Sequence, residues 1–527
     1  MNVRYGILGR FGAFVLGAIF AFTALPAFAD GGTLVWGTTQ NPRHLNPAVQ
    51  SGIATMMPGT QIFASPLQFD DKWNPKPYLA ESWSLQDDGK SLLLRLVPNA
   101  KFQDGVPITS ADVAFSIMTI KAHHPFKSMF EAVERVDTPD ARTAIIRMSK
   151  PNPAILLAMS PPLCPIIPEH IYGKVPDITN TPLNSTGVVG SGAYKLVEFK
   201  SGDHITLERN PDFFIKGMPK FDRIVIRIFK DPNALAIAVE NGEVNYVPFW
   251  SELAVLQRMQ KNPRLAITDK GGEAIGPLNW LAFNTAKKPL DDMRVRQAIS
   301  YAIDRDFIIK KLHYGFSKVS TGPITLGSPF YTADVEHYML NLAKANQLLD
   351  AAGRKKGANG MRFSLTIDFI PGTREMQQTI AEYVKAQLRK VGIDVEVRAA
   401  PDFPTWAKRV AGHDFDLTMD SVFNWGDPVI GVARTYLTSN IRKGVIWSNT
   451  QSYSNPKVDQ LLEQAAVETN VEKRKAEYKE FQKIVVNEAP IAFINVIPYY
   501  QVYDKDLHNL PTTIWGAAGP VYEMYRK

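Results

Sequence analysis

The sequence predicts an α/β protein built as two lobes, the first carrying a small extra subdomain. Three observations carry that expectation. From Phe221 to Lys261 strand-like and helix-like patterns alternate, the βαβα rhythm of an α/β sheet. The rhythm restarts at Leu342 and runs to Val496, so a second sheet is expected. Between the two series lies Asn279–Gly315, where a short strand leaves one body and an amphipathic helix opens another. The 527 residues allow two or three domains, and 45% hydrophobic against 21% charged residues is the balance of a globular chain.

Residues 1–29 read as a secretory signal peptide. Arg4 and Arg10 supply the positive region, Phe11 to Leu25 the apolar region, and Ala27-Phe28-Ala29 the small-residue cleavage pattern. Asp30 then begins the mature chain. The net charge of +7 falls to about +5 without Arg4 and Arg10. The remaining Lys and Arg are scattered, which suits a solvated surface and excludes the basic stripe of a nucleic-acid binder. No other window approaches 18 consecutive apolar residues. Cys164 is the single cysteine, so no intramolecular disulfide forms and the core must hold the exported chain together. No Cys follows the apolar region, which closes the lipoprotein route. The compartment expected is the periplasm of a Gram-negative bacterium.

In order, Thr33–Thr38 is a first strand. It opens into the polar loop Gln40–Pro47, placed where ligands meet the carboxyl edge of an α/β sheet. Gln40, Arg43 and His44 are candidate ligand contacts there. Asp88-Gly89 turns between strands at Ser82–Leu85 and Ser91–Val97, and Thr109 or Ser110 caps a helix. Residues 151–186, rich in Pro, Ser, Thr and Asn, close this subdomain. A strand from Tyr194 to Phe199 returns through Leu207 and Arg209. No Lys-Ser/Thr helix follows Gly187, Gly190 and Gly192, so they form no phosphate loop. Helix Asn233–Asn241 stops at Gly242, and a strand at Asn245–Val247 precedes a helix from Ser251 to Lys261. In the central stretch Trp280, Ala282 and Asn284 alternate with Asn279, Leu281 and Phe283. A helix then places Val295, Ile299, Ala302, Ile303 and Phe307 on one face. The second body alternates in the same way. It runs through helix Leu342–Ala352, strand Phe363–Phe369, helix Thr373–Lys390, strand Ile393–Arg398, helix Phe403–Ala411 and strand Phe415–Met419. Helices Ser454–Thr469 and Val471–Val486 and strand Ile491–Val496 follow.

Several blocks resemble one family. Phe283–Arg305 fits FNTxxxPxxDxRVRQAIxYAIDR, the stretch that begins the second lobe in extracytoplasmic solute-binding proteins of ABC importers. The family is the dipeptide/oligopeptide/nickel-binding one, solute-binding protein family 5. Residues 78–117 resemble its LAxSWxxxxDG…FxDGxPxTAxDV block, and 187–214 its GTGPYxL…NPxYW block. The tail YSNPKVDQLLEQA…EAP resembles a further one. The resemblance implies a two-lobed periplasmic binding protein with a hinge. It gives a first lobe at 30–285, with a subdomain at about 70–186, and a second lobe at 286–498. Residues 499–527 would then return to complete the first.

The same resemblance implies a monomeric receptor that captures a small-molecule or peptide ligand and hands it to the permease transmembrane subunits. It implies no nucleic-acid partner, cofactor, resident metal or catalysis. A di- or oligopeptide is the expected cargo, with opine-like conjugates, oligosaccharides or a chelated metal as alternatives. A secreted hydrolase is the remote alternative, since no G-x-S-x-G, H-E-x-x-H or C-x-x-C occurs. Residues 420–437 gather Phe423, Trp425, Asp427 and Arg434, the aromatic walls and few polar groups that a pocket needs. Peptide-binding members read Gly-Trp-x-x-Asp-x-x-x-Pro here, their Asp pairing with the peptide ammonium. Aligned on Pro428, that Asp becomes Asn424, and Asp427 is the nearest carboxylate. Trp406 sits where members often carry a ligand-covering Trp.

Overall fold

The computed structural model describes residues 31–527, so the expected export signal lies outside the described residues. Two sheets organise the chain. The first has seven strands in the order Leu265–Thr268, Tyr500–Asp504, Tyr246–Trp250, Thr33–Thr38, Arg223–Ile228, His204–Arg209 and Tyr194–Lys200. Thr33–Thr38 runs parallel to Arg223–Ile228 in unbroken register, and Trp36 also pairs with Tyr246. Helix Pro232–Asn241 makes the crossover. The Asp231 carboxylate accepts the Asn233 N–H at its start, and Gly242 ends it at φ 84°.

The second sheet has six strands: Lys318–Val319, Ile491–Val496, Pro277–Phe283, Leu417–Phe423, Phe363–Asp368 and Ile393–Arg398. Every residue of Pro277–Phe283 is buried. Both faces are covered, which explains a run that is apolar except for Asn279. Leu281 and Phe283 pack in one core with Val295 and Ile299 of helix Met293–Ala302. Leu278, Trp280 and Ala282 pack in another with Phe481 and Val485 of helix Val471–Glu488.

A separate four-stranded sheet orders Ala80–Gln86, Ser91–Leu96, Thr143–Met148 and Val133–Asp140. Helix Ser110–His123 packs on it, opened by a capping box between Thr109 and Asp112. This is the small subdomain.

Four expectations shift. Pro277–Phe283 bonds only to strands of the second sheet, so the first crossing is at 269–276, before residue 285. The helix after it ends at Ala302, where the Asp304 side chain caps a new turn by accepting the Phe307 N–H. The stretch expected as a strand to Met419 continues to Phe423, because Pro277 and Leu278 supply partners for Phe423 and Val422. The helix expected from Thr373 begins as a wide turn, Arg374–Gln378, and becomes α-helical over Thr379–Lys390. Among the described residues no helix is long and apolar enough to cross a membrane.

Candidate ligand-binding site

The chain passes between the sheets twice, at 269–276 and at 497–499. A cavity of about 330 Å³ lies against both passages. Phe249 lines it from the first lobe, Phe316 from the second, and Glu273, Tyr499 and Tyr500 from the connections and the strand that follows. Its rings meet edge to face, Phe249 on Tyr499 at 5.6 Å and Phe316 on Tyr500 at 5.5 Å.

Beside the cavity the lobes touch. Trp425 of the second lobe packs on Phe126 of the subdomain with centroids 5.2 Å apart, and on Phe423 at 5.7 Å. Phe423 lies parallel to Tyr499 at 6.5 Å. The Arg434 guanidinium sits 5.0 Å over the Phe126 ring. Trp425 holds φ 50°, a left-handed conformation that bulky residues rarely adopt, and Gly426 follows at φ 81°. A Cβ on Gly426 would stand 2.3 Å from Leu157 Cδ2 of the first lobe. The turn is therefore shaped to the opposite lobe, and backbone strain of this kind gathers at functional sites.

Asp420 lies under this contact. It is buried and makes no salt bridge among the described residues. Burial pushes its carboxyl up to about 7, against the lowering pull of the Ser421 N–H, the Trp447 indole and the Arg434 charge. Burial conversely pulls the Arg434 guanidinium down to about 10, with Asp420 opposing. Trp447 is 40% exposed, at φ 54°, and packs on the equally exposed Phe403. These groups gather one carboxyl, one guanidinium and ring surface in the second lobe, with Arg434 reaching the subdomain at Phe126.

The residues singled out from sequence part company here. Phe423, Trp425 and Arg434 come together at the junction. Gln40 lines a small hollow of about 30 Å³ that also includes Phe249, and its N–H donates to Thr38 Oγ1. Asp427 is engaged inside the second lobe: its two oxygens accept from Arg474 at 2.8 and 2.7 Å, and Oδ1 also caps the next turn through the Val429 N–H. Asn424 also sits inside the second lobe, its amide oxygen accepting from the Thr325 N–H and its amide nitrogen donating to the Pro323 carbonyl. Trp406 is fully buried in a satellite core with Phe415 and Val410, its Nε1 donating to Thr418 Oγ1. Arg43 is exposed and donates to Asn180. His44 is buried as a turn acceptor for the Asn46 N–H, and burial with the Arg43 charge pulls its imidazole down to about 4. Both belong to the first lobe's own structure.

Sequence reasoning missed Phe126, Phe249, Glu273, Asp420, Trp447 and Tyr499. Only Asp420 carried a signal, as a charge in the strand Leu417–Phe423 beside Leu417, Met419 and Val422. Among the described residues no group of three or more His, Cys, Asp or Glu could hold a metal ion.

The family model for bacterial extracellular solute-binding proteins, family 5, matches residues 74–444. The chain is 27% identical over 490 residues to heme-binding protein A of Haemophilus influenzae, spanning 88% of this chain and 86% of that one. It is 26% identical over 488 residues to the oligopeptide-binding protein AppA of Bacillus subtilis, with the same two coverages. The ABC transporter substrate-binding protein CtaP of Listeria monocytogenes superposes with a TM-score of 0.81 at 25% identity, over 94% of this chain and 99% of that one. With the family match covering well over half its length, and two sheets joined by connections that border a ligand-sized cavity, the chain belongs to the bacterial extracellular solute-binding proteins of family 5.

Proposed function

We propose that this receptor works in the periplasm, closes its lobes on a peptide-class solute and delivers it to the permease of an ABC importer. The observation that carries the reading is the cavity of about 330 Å³ walled by both lobes and both connections. A solute bound there contacts both lobes, so it binds the closed form better than the open one and shifts the population toward closure. The junction suits a zwitterion. Beside the cavity Arg434 offers a guanidinium for a carboxylate and Asp420 a carboxyl, raised to about 7, for an ammonium, while Tyr499 on the cavity wall covers an apolar side chain. Asn424 and Asp427 are engaged within the second lobe, so the ammonium is held at a different place from the peptide-binding members' Asp. The relation to an oligopeptide-binding protein supports the cargo class.

The test is calorimetric titration of residues 30–527 with a mixture of di- to pentapeptides, then with opines, sugars and heme. Peptides are expected to bind, and Tyr499→Ala to weaken them about tenfold, the loss of roughly 1.4 kcal/mol of ring contact. Binding of another class alone would sink the peptide reading.

A further inference from the structure

The connection 269–276 contains one carboxylate that the lobe contact leaves unanswered. Glu273 lines the cavity, and its Oε2 is buried without a hydrogen-bond partner. The side-chain charges acting on it are those of Asp269 and Asp71, both negative. Burial raises its carboxyl, while the N–H groups of Gly271 and Glu273 itself lower it. Asp269 is already paired with Lys318 at 3.2 Å. Gly327 of the second lobe lies against the stem of Glu273, so close that a Cβ there would stand 2.7 Å from Glu273 Cγ. The carboxylate is thus held in place by the opposite lobe with one oxygen unused. An unmet buried oxygen is expensive to keep, at about 1–3 kcal/mol, and a cation would relieve it.

The walls suit the same guest. Phe249, Phe316, Tyr499 and Tyr500 line the same cavity as Glu273, with Lys270 and Lys318 also on the wall and Lys318 neutralised by Asp269; ring faces attract cations. Tyr500 Oη is spent on the Phe316 carbonyl at 2.8 Å, which fixes that wall rather than offering a donor. At about 330 Å³ the space has room for one small organic molecule.

We propose that the cavity at the connections is a cation subsite, taking a primary ammonium on an apolar stem with Glu273 as its anionic anchor. The site rests on the receptor reading for its place in transport, and its occupation draws Phe249 of one lobe and Phe316 of the other onto the same guest.

The test uses 2-phenylethylamine as the cationic probe and 3-phenylpropionate as its anionic counterpart. Each is titrated into residues 30–527 and into Glu273→Gln, which keeps the size of the side chain. The amine is expected to bind the wild type and the acid not. Glu273→Gln is expected to lose at least tenfold in amine affinity with an unchanged or raised melting temperature. Equal amine binding by the two proteins, equal binding of amine and acid, or no amine binding to the wild type at millimolar concentration would each overturn the subsite. A parallel peptide titration separates the two claims. Peptide binding without amine binding ends the subsite and leaves the receptor reading standing. Amine binding lost in Glu273→Gln, with no peptide bound by either protein, supports the subsite and ends the peptide reading.

Discussion

Asp427 and Arg474 show how one ion pair can imitate a binding group in sequence. Their side chains are 6% and 5% exposed, and the two-pronged contact engages both carboxylate oxygens. Breaking such a pair from one side strands the other charge, at about 3–5 kcal/mol. Asp427→Asn is therefore expected to lower the urea-unfolding free energy by about 3 kcal/mol, while the folded fraction keeps its solute affinity. A variant as stable as the wild type but unable to bind would return Asp427 to the site. Asp420 makes the opposite case, a carboxyl that burial holds at about 7 against an ordinary value of 3.8. Between those values the folded chain keeps a proton that the unfolded chain has released. Its contribution is therefore greatest at acid pH, declines as pH rises toward 7, and is constant above. His44, held at about 4, and His124, held at about 3 by burial, act in the reverse sense below 6.5. The measurement is thus the stability of Asp420→Asn minus that of the wild type. It is expected to climb by a few kcal/mol from pH 4 to 7. A difference independent of pH would mean that the native carboxyl titrates normally.

The turn at Trp425-Gly426 belongs to the scale of elements, because it ends the strand Leu417–Phe423 against the other lobe. An alanine at 426 meets Leu157 and a left-handed backbone at once. Gly426→Ala is expected to hold the lobes apart, enlarge the radius of gyration in small-angle scattering, and weaken solute binding about tenfold, some 1.4 kcal/mol. Unchanged scattering and affinity would show that the lobes do not meet at this turn in solution. Elements were legible where local pattern decides them. Period-two alternation marked the strand at Phe363–Phe369, found at Phe363–Asp368, and Gly242 marked the end of the helix expected from Asn233. Where a distant partner decides, the sequence was silent. Val422 and Phe423 are strand only because Pro277–Leu278 lies alongside. Asp427 is tied into the second lobe by Arg474, 47 positions on. Trp425 and Arg434 were legible as ring and charge in a loop. Glu273 and Tyr499 matter through where the lobes bring them, which no local spacing records.

At the scale of the molecule, the second lobe is an insertion into the first. The chain leaves the first sheet after Leu265–Thr268, builds all of the second, and returns as Tyr500–Asp504. Two short connections leave relative motion as the soft coordinate, and direct contacts such as Trp73 Nε1 to the Gly327 carbonyl at 3.2 Å resist it only locally. A solute that adds contacts on both sides can therefore tip the balance with a few kcal/mol.

The returning strand also sets a timetable for synthesis. Tyr500–Asp504 lies between Tyr246–Trp250 and Leu265–Thr268, so Leu265–Thr268 has no neighbour in the sheet until the end of the chain is made. A ribosome delivers the first lobe's other strands early and this one almost last. Until then the nascent chain cannot finish its amino-terminal half. Late completion keeps a chain bound for export threadable, and commits the first lobe to its final form only when the whole polypeptide is on hand.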